Sequence, residues 1–399
     1  MVELQDTAYL VPPEDELLMI PGPTPVPREI RQAACRPLIN HRGPKFVSLY
    51  RDIEAGLRPL FGTKEGTILV FPASGTGVME SAVVNLFSPG DRVVVGVMGE
   101  FGHRFAEIAR AFGVNAEELN VPWGEAIGPD TLRAYLAGHD PAALAGVILT
   151  QNETSTGVTL DLAALGPVVK EFGLLLVVDA VSAFGGIPMR MDEWGVDVVV
   201  TASQKALMSP PGLGIVAVAP GAWTAVEKAR LPRYYWDYRA ARKFGERGET
   251  PYTPAVSLWY ALQAGLKRIA ATGLEATFTS HRRRGAMLRA GVRALGLETL
   301  VKDDAIASPT VTAVLVPPGV DGSKVLARLR DEKKIVAAGG QGQLKGKIWR
   351  FAHMGAVSEE DVITALNGLE EVLIAEGATR VAPGTAARAA REVAANVVR

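Results

Sequence analysis

Six short apolar runs limit the architectures open to this chain: TILVF (67–71), RVVVGVM (92–98), GVILT (146–150), LLLVVDA (174–180), DVVVTAS (197–203) and GIVAVA (214–219). Each is rich in β-branched residues and nearly free of polar interruption. A strand with one wet face alternates apolar and polar residues, whereas a strand covered on both faces can be apolar throughout. Between the runs stand windows of helical period, such as GVMESAVVNLF and GHRFAEIARAFG. This alternation predicts an α/β fold, with a mostly parallel central sheet sandwiched by helices. At 399 residues the chain exceeds what one core accommodates, so a second unit is expected.

The pattern changes after about residue 255. A long helix-like stretch (255–296) is followed by short strand candidates, TVTAVLVP (310–317) and KIWRFAHMG (347–355), and a last helical window (358–375). The expected organisation is an N-terminal arm over 1–25, a large domain over 26–260, a smaller C-terminal α+β domain over 261–380 and a tail over 381–399. The segment VPPEDELLMIPGPTPVPREI holds six prolines in residues 11–30 and reads as an extended strap lying on another surface, with a helix starting near Pro27. The alanine- and arginine-rich end, GTAARAAREVAANVVR, reads as a terminal helix or a frayed end. The run His281–Arg284 reads as a solvated helix face.

Charge and cysteine content remove several function classes. With 42 basic and 43 acidic residues the net charge is −1, which gives no support to nucleic-acid or anionic-membrane binding. One cysteine, Cys35, rules out an internal disulfide framework. Together with five histidines that lack close ligand spacing it counts against a structural metal site. The first twenty residues lack a basic segment followed by an apolar core, and no run of 18 apolar residues occurs anywhere. A secretory signal and a membrane span are therefore not expected, and the cytoplasm is the expected compartment.

Three stretches carry the chemistry. In VVVTASQKALMSPPGLGIVAV (198–218) the lysine Lys205 has no carboxylate within seven residues on either side. Burial there disfavours the ammonium form, which suits an amine wanted as a nucleophile. In FPASGTGVMESAVVNLF (71–87) an apolar strand runs through a small-residue turn into a helix. The backbone N–H groups of that turn and the hydroxyls of Ser74 and Thr76 make an anion cradle, although capping alone also favours serine there. In LLLVVDAVSAFGGIP (174–188) Asp179 closes a strand, at the edge where open parallel sheets bind ligands, although by itself an aspartate there more often caps a helix or makes a structural hydrogen bond. A strand-end lysine, a strand-end carboxylate and a phosphate cradle together are what pyridoxal 5′-phosphate requires: an amine for its aldehyde, a partner for its ring nitrogen and an anchor.

From PGPTPVP through HRGPKF, SGTGVMESAVVNLFSPGD, GEFGHRF, NETSTG, VVDAVSAFGG and ASQKAL to KGKIWRFAHMG, the chain resembles the class V aminotransferases of fold type I over roughly residues 18–375. Within them it looks most like the alanine/serine–glyoxylate (serine–pyruvate) aminotransferases. The resemblance implies that Lys205 forms the Schiff base and moves the substrate proton, that Asp179 partners the pyridinium, and that Val181 packs on one ring face. Phe101 falls where relatives place an aromatic, often tryptophan, on the other face. Thr154 matches a hydroxyl near the cofactor phenolic oxygen, and Ser74, Gly75, Thr76 and Gln204 match phosphate contacts. Thr253, with Thr250 and Tyr252 as alternatives, matches a segment that reaches the phosphate of a neighbouring subunit, which implies a homodimer with shared active sites.

Arg350 matches the substrate-carboxylate arginine, though a structural ion pair is open on its sequence setting. The strap around Gly22 is expected beside the same pocket. The implied reaction is ping-pong transamination of a small amino acid, alanine or serine, with glyoxylate or pyruvate, since no second arginine stands out for an acidic side chain. Alternatives are a ureidoglycine–glyoxylate aminotransferase, a pyridoxal-phosphate-dependent lyase, a cysteine desulfurase using Cys35, and a non-catalytic partner subunit.

Overall fold

The computed structural model describes residues 16–396; the start of the expected arm and the last three residues lie outside the described residues. A seven-stranded sheet forms the centre, built in chain order from β1 (Thr67–Ala73), β2 (Arg92–Val97), β3 (Asn115–Asn120), β4 (Gly146–Thr150), β5 (Leu175–Asp179), β6 (Val198–Ala202) and β7 (Gly212–Val218). Across the sheet their order is β1-β7-β6-β5-β4-β2-β3. All six apolar runs are strands of this sheet. Their residues divide by a period of two between two cores: Val147, Leu149, Leu176 and Val178 on one face, Ile148, Val177, Val198 and Val200 on the other. Both faces are apolar because helices cover both.

Two features depart from the sequence pattern. β7 runs antiparallel to both its neighbours. Residues 203–211 between β6 and β7 are too few for a parallel crossover, which takes about a dozen residues or more. The second departure is β3, NAEELN, an additional polar strand that pairs with β2 at one edge. With one edge in solvent, cross-strand charge replaces apolar alternation there: Arg92 Nε meets Glu117 at 2.7 Å.

The helix-like stretch after residue 255 is two helices, α1 (Val256–Thr272) and α2 (Leu274–Ala294), parted by Gly273 at φ +85°. A three-stranded antiparallel sheet follows, with β10 (Ile348–Ala352) between β8 (Val311–Leu315) and β9 (Ala338–Gly339). Helices α3 (Glu359–Ala375) and α4 (Thr385–Asn396) close this part. The alanine-rich end is thus a docked helix, with Ala386, Ala390 and Ala394 buried beside Leu288 and Val292 of α2.

The reading of His281–Arg284 as a solvated face is corrected by the segment that follows β10. His281 and Arg284 are buried, with Arg284 Nη1 donating to the carbonyls of Gly355 and Val357 and the backbone N–H of Gly355 donating to His281 Nε2. α3 and α4 pack against α2 and leave Arg282 as the exposed residue of the run.

Candidate active site

Thr150 and Asp179 end β4 and β5 in register, and β6 runs two residues past Val200, the partner of Asp179, so the segments that follow the three strands meet at one edge of the sheet. The β6–β7 connection projects Lys205 there. Ser203 fixes this loop by donating from Oγ to the Pro210 carbonyl (2.7 Å), and the Met208 N–H closes a turn on the Lys205 carbonyl (2.9 Å). The β1 exit delivers Ser74, whose Oγ caps the helix α5 (Gly75–Leu86) by accepting from the Gly77 N–H at 3.3 Å. A Cβ on Gly75 would sit 2.9 Å from Val181, so glycine is what lets this helix start against the β5 exit.

One cavity is lined by Lys205, Gln204, Asp179, Val181, Thr154 and Phe101, with Ser74, Gly75 and Thr76 at its rim. Its electrostatics follow from burial. Desolvation pushes the Asp179 carboxyl up to about 7, against a hydrogen bond from the Val181 N–H at 2.8 Å and the attraction of Lys205. Desolvation lowers the Lys205 ammonium to about 8, with Asp179 opposing and Arg350 and Arg104 assisting. The lysine is therefore neutral in part near physiological pH, as its apolar setting in the sequence predicts.

The arm reaches the same place. Thr24 binds the Lys205 loop through its N–H to the Gln204 carbonyl (3.0 Å) and its hydroxyl to the Lys205 carbonyl (2.8 Å). The Lys205 ammonium donates to the Pro21 carbonyl. Gly22, at φ +133°, leaves so little room that a Cβ there would lie 2.5 Å from Nζ.

Arg350 sits in the middle of β10, buried, with Nε on the Gly339 carbonyl (2.8 Å) and Nη1 on Gln341 Oε1 (3.1 Å) and the Thr154 carbonyl (3.4 Å). Among the described residues the hydrogen bonds of this side chain use Nε and Nη1 alone, and no carboxylate lies within ion-pair distance of it. A structural ion pair is thus not what holds this guanidinium. Thr250, Tyr252 and Thr253 do not line the cavity of their own chain; the Thr250 hydroxyl donates to the Tyr252 carbonyl instead.

Sequence reasoning missed Arg104, Asn152 and Ser182, which line the cavity, and Gln341, which holds Arg350. Ser182 Oγ receives hydrogen bonds from Thr154 Oγ1 (2.7 Å) and Asn152 Nδ2 (2.8 Å) and donates to the Asn152 carbonyl. Arg104, Asn152 and Ser182 all stand inside the quoted motifs, within three positions of Phe101, Thr154 and Val181. Arg104 stacks its guanidinium over the Phe101 ring, 4.7 Å from the centroid.

Residues 30–353 match the family described as "Aminotransferase class-V". The chain belongs to the class V aminotransferases. Among its relatives, the "Soluble hydrogenase, small subunit" of Synechococcus sp. is 42% identical, over 94% of this chain and 98% of that one. The L-aspartate–glyoxylate aminotransferase of Paracoccus denitrificans is 37% identical, over 94% and 95%. The serine–glyoxylate aminotransferase of Methylorubrum extorquens is 35% identical, over 94% of each. Among solved structures, the ureidoglycine–glyoxylate aminotransferase of Bacillus subtilis superposes with a TM-score of 0.89 at 30% identity, over 95% and 97% of the two chains. The alanine–glyoxylate aminotransferase of Nostoc sp. does so with a TM-score of 0.86 at 34% identity, over 90% and 95%.

This aminotransferase has the fold of type I pyridoxal-phosphate enzymes and, like its family, depends on that cofactor. The cavity fits the group. Its donor set offers an amine, an acidic partner for a ring nitrogen and a helix N-terminus with two hydroxyls. Gln204 Oε1 is buried without a partner, and turning that amide over presents N–H groups in its place.

Proposed function

We propose that the chain transfers the amino group of a small amino acid, alanine or serine, to glyoxylate or pyruvate in two half-reactions at this cavity. The observation that carries the reading is the buried Lys205 amine facing Asp179, with the unpaired edge of Arg350 contributing to the same field. Bound pyridoxal phosphate supplies an aldehyde that captures amines and a ring that draws electrons from the substrate Cα–H bond. Asp179 keeps the ring nitrogen protonated. Arg350 takes the substrate α-carboxylate on Nη2, its other nitrogens being held by Gly339, Gln341 and Thr154. Lys205, neutral in part, removes the α-proton as a base and returns it at C4′ as an acid. The Pro21–Gly22 strap keeps water off its amine.

The proposal includes a homodimer in the cytoplasm. Among the described residues no helix is long and apolar enough to cross a membrane. Ser74 and Thr76 are exposed in the single chain, and beside them Tyr234, Tyr235 and Tyr252 form a stacked, partly exposed cluster. Tyr235 anchors it by donating to the Pro72 carbonyl at 3.4 Å. A second copy covering this patch would bring Thr253 of each chain toward the phosphate of the other. Cys35 is exposed at the end of the helix Arg28–Ala34 and does not line the cavity, which disfavours the desulfurase reading.

One observation favours a second reading. Arg104 lines the cavity with no ion-pair partner among the described residues, as a distal-carboxylate site for aspartate would require. A donor panel with glyoxylate and with pyruvate decides between them. Alanine or serine turning over at least about tenfold faster than aspartate supports the first reading, and the reverse order supports the second. Lys205→Ala is expected to abolish turnover with the fold intact; retained transamination would refute both.

A further inference from the structure

We propose that Glu153 is a positioning residue for the coenzyme: its buried carboxylate gathers the first turn of the helix Glu100–Ala111 and so sets the Phe101 ring against the bound cofactor. The inference rests on the reading of Phe101 as the ring that stacks on the coenzyme.

Glu153 is fully buried, and both its oxygens are used. Oε2 accepts from the N–H groups of Phe101 (3.0 Å) and Gly102 (3.1 Å); Oε1 accepts from the N–H of Ser155 (3.1 Å) and its hydroxyl (2.5 Å). The Glu100 N–H is taken in turn by Ser155 Oγ at 3.0 Å. Three consecutive orphan donors of the helix start are thus satisfied from one distant segment. This is not ordinary capping. The N-cap residue is Gly99, which has no side chain, so the acceptor comes from the two-residue strand Asn152–Glu153. The next residue on that segment, Thr154, lines the cofactor cavity.

The chain is shaped to allow it. A Cβ on Gly99 would fall 2.3 Å from Ser155 Oγ and 2.6 Å from Glu153 Cγ and Cδ, and a Cβ on Gly102 would fall 2.5 Å from the Gly96 carbonyl. Phe101 stands between these two glycines, so its backbone is held from below by the carboxylate and from behind by β2. A negative charge at a helix N-terminus is favourable, and here desolvation makes its hydrogen bonds the stronger for lack of competing water. Burial alone pushes the Glu153 carboxyl up, and the four donors oppose that.

The test is a coenzyme-affinity cycle on the full-length enzyme, titrating the coenzyme-free protein with pyridoxal phosphate and recording the visible circular dichroism of the bound form. Glu153→Gln keeps the shape but turns an amide N–H2 toward backbone donors. It is expected to weaken coenzyme binding about tenfold, the scale of losing a hydrogen bond to a charged group, and to reduce the dichroism. Phe101→Ala should weaken binding too, and in that background Glu153→Gln should add nothing. Ser155→Ala, a milder loss on the same carboxylate, should follow the same rule and serves if Glu153→Gln does not fold. Equal losses from Glu153→Gln or Ser155→Ala with and without Phe101, or no loss at all, would overturn the inference. Phe101→Ala with unchanged affinity and dichroism would instead overturn the placing of Phe101 on the coenzyme.

Discussion

Replacing Gly22 by alanine separates what the strap does for the amine from what it does for the fold. The substitution has two costs. At φ +133° an alanine is strained, by about 1–3 kcal/mol. Its Cβ would also lie 2.5 Å from Lys205 Nζ, 2.8 Å from Cε and 2.9 Å from Cδ, all inside any real contact. These atoms end a flexible side chain, so the lysine swings aside and loses the Pro21 carbonyl that aims it. The second cost therefore falls on activity. Restoring the amine to its working position in each turnover at ~2 kcal/mol slows kcat/KM about 30-fold. Gly113→Ala is the control, because Gly113 has φ +77° with nothing within 4 Å of a Cβ. Both variants should lose comparable thermal stability, measured by calorimetry. Gly22→Ala alone should lose turnover and the rate at which borohydride fixes the coenzyme to the chain. Wild-type trapping and turnover in Gly22→Ala would refute the claim that the strap aims Lys205.

In the coenzyme-free chain Lys205→Met should raise stability by about 3 kcal/mol at pH 7, because the ammonium is lowered from its ordinary 10.5 to about 8. The sign follows from proton uptake: between pH 8 and 10.5 the unfolded lysine binds the proton that the folded one has lost, so the wild type gains stability as pH rises. Urea unfolding at pH 7 and pH 10.5 checks it, with the difference between the two proteins shrinking toward zero at the higher pH. Arg350→Lys removes the fork held by Gly339 and Gln341 and should raise KM for both substrates about 10- to 100-fold, leaving coenzyme affinity unchanged in a fluorescence titration.

Much of this site is written locally. A lysine among small apolar residues and an aspartate closing a five-residue apolar strand are each anomalous by composition, because a charge in such a setting is destabilised unless something uses it. The six central strands are legible for the related reason that burial on both faces leaves a continuous apolar run. What the sequence conceals is decided by distance. NAEELN looks polar because an edge strand can satisfy itself with charge, and its partner Arg92 is 25 positions from Glu117. His281 and Arg284 have the composition of a surface, and it is the distant segment Gly355–Val357 that covers them. Glu153 and Gln341 have no local signature: each acts on a group that the fold brings to it, the Phe101 turn in one case and the Arg350 fork in the other.

The two central shifts bear on why the coenzyme belongs to the fold. Asp179 is held up to about 7 and Lys205 down to about 8, both by desolvation, and their mutual attraction offsets this in part. In the coenzyme-free chain each charged form is therefore disfavoured, and the cavity subtracts from stability. On the assignment proposed above, a coenzyme whose ring nitrogen pairs with the carboxylate and whose aldehyde takes up the amine would relieve both at once. Its binding free energy then includes that relief, and by linkage the loaded protein gains the same amount against unfolding. The apolar surroundings that make Lys205 conspicuous in the sequence are thus the cause of three properties together: a partly neutral amine, a cavity that favours its coenzyme, and a fold that is weaker without it.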